Sequence, residues 1–179
     1  VMRGADVFIG VSKGDCVEPS WVESMADYPA IFALANPDPE IRPEVVAEVM
    51  SGKPYIMATG RSDYENQINN VLCFPFLFRG ALDVKASKIT KGMKLAASMA
   101  LAKAARRPAG PETRSLYLGE SMEFGPKYII PKPFDRDIFV EVSLAVAKAA
   151  VEEGVARVEN FDAAKYDAAL RARRAEGIC

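Results

Sequence analysis

Histidine is absent from the 179 residues. That excludes a Ser-His-Asp or Cys-His catalytic set within the chain, together with the imidazole ligands most protein metal sites use. Acid-base work must come from Asp, Glu, Lys, Tyr or Cys. A charge excess of either sign is also missing, since 23 basic residues face 24 acidic ones for a formal charge of -1. This balance gives no electrostatic case for nucleic acid or an anionic membrane. No apolar run nears the roughly 20 residues of a membrane span, and no signal peptide is visible. Cysteine is scarce. Cys16, Cys73 and Cys179 are odd in number and unrelated in spacing, which favours free thiols in a reducing cytoplasm.

What is present is ordinary globular composition, half hydrophobic and 26% charged, in a chain long enough for one domain with a sizeable core. Three apolar runs recur, Asp6 to Val11, Ala30 to Ala35 and Tyr55 to Ala58. They are near-continuous rather than alternating, which suits strands covered on both faces. The first begins almost at once after Val1, so the chain reads as a piece of a longer protein. Helix signals lie between the runs. Ser20-Trp-Val-Glu23 predicts a capping box. Pro43 stands at a first-turn position before Val45 to Met50, and Gly52 offers a left-handed stop. Strand-helix-strand-helix-strand at this spacing implies crossover units and a parallel sheet. The spacing predicts a helix from Lys85 to Arg107, with Ile89, Met93, Ala96, Ala97, Ala100, Leu101 and Ala104 on one face. Residues 112–134 read as irregular. Asp135 is expected to cap a helix running to about Glu153, and a last helix covers Phe161 to Ala175.

In an open parallel sheet, ligands bind outside the carboxyl ends of the strands. Three loops stand there: Gly10-Val-Ser-Lys-Gly14, Asn36-Pro-Asp-Pro-Glu40 and Gly60-Arg-Ser-Asp63. The third continues into a run of amides, Asn66, Gln67, Asn69 and Asn70. Each feature admits two readings. Asn36 fits a helix-entry turn or a ligand contact. Asn69 and Asn70 fit helix-terminal positions or ligand contacts. Gly10 and Gly60 fit plain turns or close approach of a cofactor. Gly10 to Gly14 is not a GxGxxG fingerprint. Asp63 and Asp83 have no second carboxylate at metal spacing. Arg79 fits a phosphate contact or a structural ion pair, Lys132 reads as surface, and Cys73 as a small core residue.

Gly4-Ala-Asp-Val-Phe-Ile-Gly-Val-Ser12, Phe32-Ala-Leu-Ala-Asn-Pro-Asp-Pro-Glu-Ile41 and above all Ala58-Thr-Gly-Arg-Ser-Asp-Tyr-Glu-Asn-Gln-Ile-Asn-Asn-Val71 through Asp83 resemble the cofactor-binding domain of bacterial malic enzymes. Phe124-Gly-Pro-Lys-Tyr-Ile-Ile-Pro-Lys-Pro-Phe-Asp135 resembles that family's later segment. The likeness is greatest to the hybrid type that carries a phosphate-acetyltransferase-like domain after this point. It covers roughly residues 1–160.

The resemblance implies an α/β, Rossmann-like parallel sheet, incomplete here as the second half of the cofactor domain, followed by C-terminal helices. Residues 1–84 would belong to the NAD(P)-binding domain and 85–179 to a helical part of the same region. It implies oxidative decarboxylation of (S)-malate to pyruvate and carbon dioxide, with NADP or NAD reduced and Mg or Mn required. Asn36, Asn69 and Asn70 would bind substrate. Gly10, Val11, Ser12, Asn36, Gly60 and Asn70 would lie along the cofactor. The family's tyrosine and lysine, its acidic metal ligands and its glycine-rich phosphate loop all fall upstream of Val1. The chain alone is therefore expected to be inactive, with a missing N-terminal malic enzyme domain as partner and a homo-oligomeric assembly. Phe76 stands where many relatives have glycine, and Lys13-Gly-Asp-Cys16 is an unusual first loop. The alternative is a non-catalytic Rossmann-like assembly module.

Overall fold

The computed structural model describes residues 2–177, so Cys179 lies outside the described residues. The chain divides into two compact units, residues 1–69 with 124–129, and residues 70–123 with 130–179.

The first unit is built on a parallel three-stranded sheet in the order β1 (Val7–Gly10), β2 (Ala30–Ala33), β3 (Ile56–Thr59). Val7 pairs with Ala30 and Ala30 with Ile56, so the strands run in step and end together at Gly10, Ala33 and Thr59. Helix α1 (Pro19–Glu23) and helix α2 (Pro43–Val49) form the crossovers. Val22, Met25, Ile31, Ala33, Ile41, Val46 and Met50 are their shared core. Ile31 and Ala33 sit in the middle strand, where apolar side chains are covered most fully. The edge strand differs from expectation, because Val7 and Ile9 are exposed among the described residues.

Local chemistry corrects one reading here and bears out another. Ser20 is not a cap. Glu18 holds that position without a side-chain bond, and Pro19 opens α1. Proline's missing N–H is harmless in a first turn, so it sets the start one residue ahead of the serine. Gly52 does take a left-handed backbone, φ 76°, after α2.

The second unit is helical. Its centre is α6 (Asp137–Glu152), which buries Ile138, Phe139, Val140, Val142, Ser143, Val146, Ala147 and Ala150. Helix α3 (Phe74–Asp83) and helix α4 (Lys91–Ala104) pack on it. Helix α3 forms although Pro75 and Gly80 read as breakers. Pro75 lies in its first turn, and Gly80 lies where α3 meets α6: a Cβ there would stand 2.9 Å from the Val146 Cβ and against the Ser143 carbonyl.

The long helix from Lys85 is shorter than expected. Lys85 adopts φ 51° and closes α3, its N–H reaching the Leu82 carbonyl at 2.9 Å. Thr90 then caps α4, accepting from the Met93 N–H at 3.1 Å, so Ile89 falls outside the helix. Met93, Ala97, Ala100 and Ala104 are the buried stripe. Within the supposedly irregular stretch stands α5 (Pro111–Leu116). Asp135 braces the start of α6, accepting from the Asp137 N–H at 3.1 Å. Helix α7 (Ala163–Ala175) is capped by Asp162 and anchored by buried Leu170.

Three further side chains settle their readings. Arg79 forms a structural ion pair with Asp83, which also accepts from the Tyr166 hydroxyl at 2.8 Å. Lys132 is not surface. Its side chain is 14% exposed, paired with Glu120 and 5.1 Å from the Tyr117 ring. Cys73 is half-buried, and that burial pushes its thiol pKa up.

Candidate functional site

Because the strands are parallel and in step, the residues that follow them are brought to one edge. The first loop carries Gly10, Val11 and Ser12, with Val11 and Ser12 exposed. The second carries Asn36, exposed, its Nδ2 donating to the Leu34 carbonyl at 3.4 Å. The Asn36–Pro37 peptide is cis. The third begins at Gly60, whose Cβ, if it had one, would lie 3.2 Å from Asn36 Oδ1 and 3.3 Å from Nδ2. The second and third loops thus meet where glycine leaves room for an amide.

The first and second loops are joined through Glu40. Its carboxylate is fully buried. Oε1 accepts from the Ser12 N–H at 2.7 Å and the Ser12 hydroxyl at 3.3 Å, and Oε2 from the Ala35 N–H at 3.1 Å. Burial alone would raise its pKa. The bonds from Ser12 and Ala35 outweigh that and hold the carboxyl below its ordinary value. The Glu40 carbonyl accepts from the Cys16 and Val17 N–H groups at 2.9 and 3.0 Å. A Cβ on Gly14 would stand 2.7 Å from that of Asp38, so these loops lie close along their length.

Charged groups stitch the same edge from outside. Arg61 forks onto Asp63, with Nε at 2.9 Å and Nη2 at 2.7 Å, and reaches Asp38 at 3.7 Å. Arg42 reaches Asp15 at 3.4 Å and Asp38 at 3.8 Å. The hydrogen bond from Arg61 holds Asp63 below its ordinary pKa. Tyr64 donates to Glu44 at 2.7 Å, which lowers the glutamate and raises the phenol. Asp63 is therefore an ion-pair partner. Among the described residues no group of three or more Cys, Asp or Glu is placed to hold a metal ion.

The amides of the third segment have different surroundings. Asn66 is buried with φ 52°. Its Nδ2 donates to the Met57 carbonyl at 2.9 Å and the Pro126 carbonyl at 2.7 Å, and its Oδ1 accepts from the Ile129 N–H at 2.9 Å. It ties residues 126–129 into the first unit. The Ile68 N–H bonds the Thr59 carbonyl at 2.8 Å, extending the end of β3. Asn69 is exposed at the end of the first unit. Asn70 is exposed and belongs to the second unit, where it opens a 3-10 turn, Asn70–Leu72. Gly10, Val11, Ser12, Asn36 and Gly60 are thus gathered on one edge of the first unit. Sequence reasoning does not single out Glu40 or Asn66. A carboxylate between Pro39 and Ile41 gives no signal of facing inward, and Asn66 stands in a polar stretch where nothing sets it apart from its neighbours.

The family model for "Malic enzyme, NAD binding domain" matches residues 4–117. The chain is 52% identical over 172 residues to a "Probable NADP-dependent malic enzyme" of Rickettsia prowazekii, spanning 96% of this chain and 22% of that protein. It is 49% identical to an "NAD-dependent malic enzyme" of Rhizobium meliloti, over 89% of this chain and 21% of the relative. The crystal structure of the Entamoeba histolytica malic enzyme superposes with a TM-score of 0.83 at 37% identity, covering 99% of this chain and 33% of that one.

Proposed function

The chain belongs to the malic enzymes through their NAD-binding domain, and from that premise we propose that it is the nicotinamide-side part of an enzyme that oxidatively decarboxylates (S)-malate to pyruvate and carbon dioxide. One observation carries this reading. At the shared edge of the sheet, Asn36 is exposed and lies against Gly60, beside the exposed Ser12 loop. That edge offers the neutral amide of Asn36 as donor and acceptor and the Ser12 hydroxyl oxygen as acceptor, groups that suit a carboxamide. Bound NADP supplies the acceptor for the substrate hydride. Asn36 orients the nicotinamide and substrate, Gly10, Val11, Ser12 and Gly60 line the cofactor, Asn69 and Asn70 contact malate, and Asn70 also contacts the cofactor. NADP is preferred over NAD, and Mg or Mn ligands, the tyrosine and the lysine come from an upstream part of the same polypeptide. The complete protein is of the hybrid type with a phosphate-acetyltransferase-like domain, is homo-oligomeric and works in the cytoplasm. This chain alone does not turn over malate.

The test is made on the complete protein. Asn36→Ala and Asn70→Ala are each expected to lower malate-dependent NADP reduction by about 100-fold, the loss a misplaced reactant produces, while circular dichroism remains that of the wild type. Wild-type kinetics in either folded variant would reject the role assigned to that residue. A non-catalytic assembly module predicts instead that the complete wild-type protein shows no malate-dependent reduction of NADP or NAD.

A further inference from the structure

Glu40 is fully buried, yet among the described residues hydrogen-bond donors alone satisfy its carboxylate. A carboxylate taken out of water is costly unless its oxygens are satisfied. Here one planar group divides its oxygens between two loops. Oε1 takes both donors of Ser12, and Oε2 takes the N–H of Ala35, the residue before Asn36. The spacing between Ser12 and Asn36 is therefore set by one side chain. The main chain of Glu40 adds a second grip on the first loop through Cys16 and Val17. Gly10 completes the arrangement. A Cβ there would stand 2.6 and 2.8 Å from the two carboxylate oxygens, so only glycine leaves room for the carboxylate.

We propose that Glu40 is a positioning residue that sets the separation of the Ser12 and Asn36 loops for hydride transfer, without itself touching substrate or cofactor. This rests on reading that edge as the nicotinamide side of a malic enzyme. Glutamine has nearly the same shape but only one accepting oxygen, and its NH2 would confront an N–H. Glu40→Gln can therefore hold one loop, not both.

Two measurements test this. In the 179-residue chain, Glu40→Gln is expected to speed amide exchange at Ser12 or Ala35 by about tenfold, the effect of losing one hydrogen bond, while Ile31 in β2 exchanges as in the wild type. In the complete protein the same variant is expected to lower kcat by about 10- to 100-fold, because a displaced loop spoils alignment, with the KM for NADP changing less than threefold. Exposed Glu48→Gln serves as the control and leaves both unchanged. Wild-type exchange at both amides, or altered exchange with a wild-type kcat, would overturn the proposal. If Glu40→Gln does not fold, Glu40→Asp, whose shorter side chain cannot span both loops, takes its place in both arms. Failure of both variants to fold makes Glu40 a folding requirement and also overturns it. A complete wild-type protein that never oxidises malate overturns the proposed function and the clamp's catalytic purpose together, while exchange still decides whether the clamp exists.

Discussion

Asn66 and Asn36 are amides of one unit with opposite surroundings, and replacing each by alanine separates a buried structural amide from an exposed one. Asn66 is 4% exposed and makes three hydrogen bonds, all to main-chain groups. Each is worth about 1 kcal/mol net, and more if the partner is left buried without a substitute. Alanine in the left-handed region adds about 1 kcal/mol. The expected loss for Asn66→Ala is thus about 3–5 kcal/mol. At roughly 2–4 °C per kcal/mol for a chain of this length, that lowers the transition by about 6–20 °C. Asn36 is exposed and makes one long bond within its own loop, so Asn36→Ala should stay within about 0.5 kcal/mol, as surface changes do.

The chain carries its own reporter. Trp21 is the single tryptophan and lies in the same unit as Asn66. Thermal and urea transitions followed by its fluorescence read that unit directly. Asn66→Gly sharpens the result, since it removes the same three bonds but tolerates the φ of 52°. It should recover about 1 kcal/mol relative to alanine. If Asn66→Ala and Asn36→Ala unfold within about 1 °C of each other, against the several degrees expected, the buried amide does not hold residues 126–129 as described, and the reasoning fails.

Two further outcomes follow from packing and charge. Gly80→Ala should lower the helical transition of the chain, because overpacking against the Val146 side chain and the Ser143 carbonyl costs about 1–3 kcal/mol, outweighing the roughly 1 kcal/mol alanine gains in a helix; a raised midpoint by far-ultraviolet circular dichroism would contradict it. Glu40 has a folded pKa below its ordinary 4.5, so its contribution is present above the unfolded value and is lost as pH falls through the folded one. Stability of the wild type, measured by urea titration, should therefore decline through and below about pH 4.5, and Glu40→Gln should flatten that acid limb; equal slopes would show that the buried carboxylate does not titrate this way.

The three strands were legible because apolar runs bounded by glycine and polar loops leave few alternatives, and their parallel order followed from the crossover spacing. What composition does not encode is the partner of each local signal. Ser20 and Glu23 spell a capping box, but Pro19 starts the turn first. Pro75 and Gly80 read as punctuation, yet one occupies a tolerated first-turn position and the other a helix crossing that only a missing side chain allows. Lys85 ends a helix in a left-handed conformation without glycine, so the break before Thr90 carries no compositional mark. At the candidate site, the loops and Asn36, Gly10 and Gly60 could be named from their place after strands. The inward turn of Glu40 and the burial of Asn66 could not, since both depend on backbone partners that become neighbours only after folding.

The charges at this edge point to a division of labour. Arg61 and Arg42 are its two arginines, and each is engaged by carboxylates, Asp63 and Asp38 for the first and Asp15 and Asp38 for the second. Cations so engaged brace the loops, and a substrate anion would have to compete with two aspartates to reach them. The Asn36 amide faces outward and is neutral, while Lys13 stands exposed in the first loop. Neutral groups hold a carboxylate or a carboxamide without adding a charge that the proposed hydride transfer would have to work against. Alignment by neutral groups, held apart by one buried carboxylate, is a task these loops can perform in full. Proton transfer asks for acids and bases that Gly10, Val11, Ser12, Asn36 and Gly60 do not present.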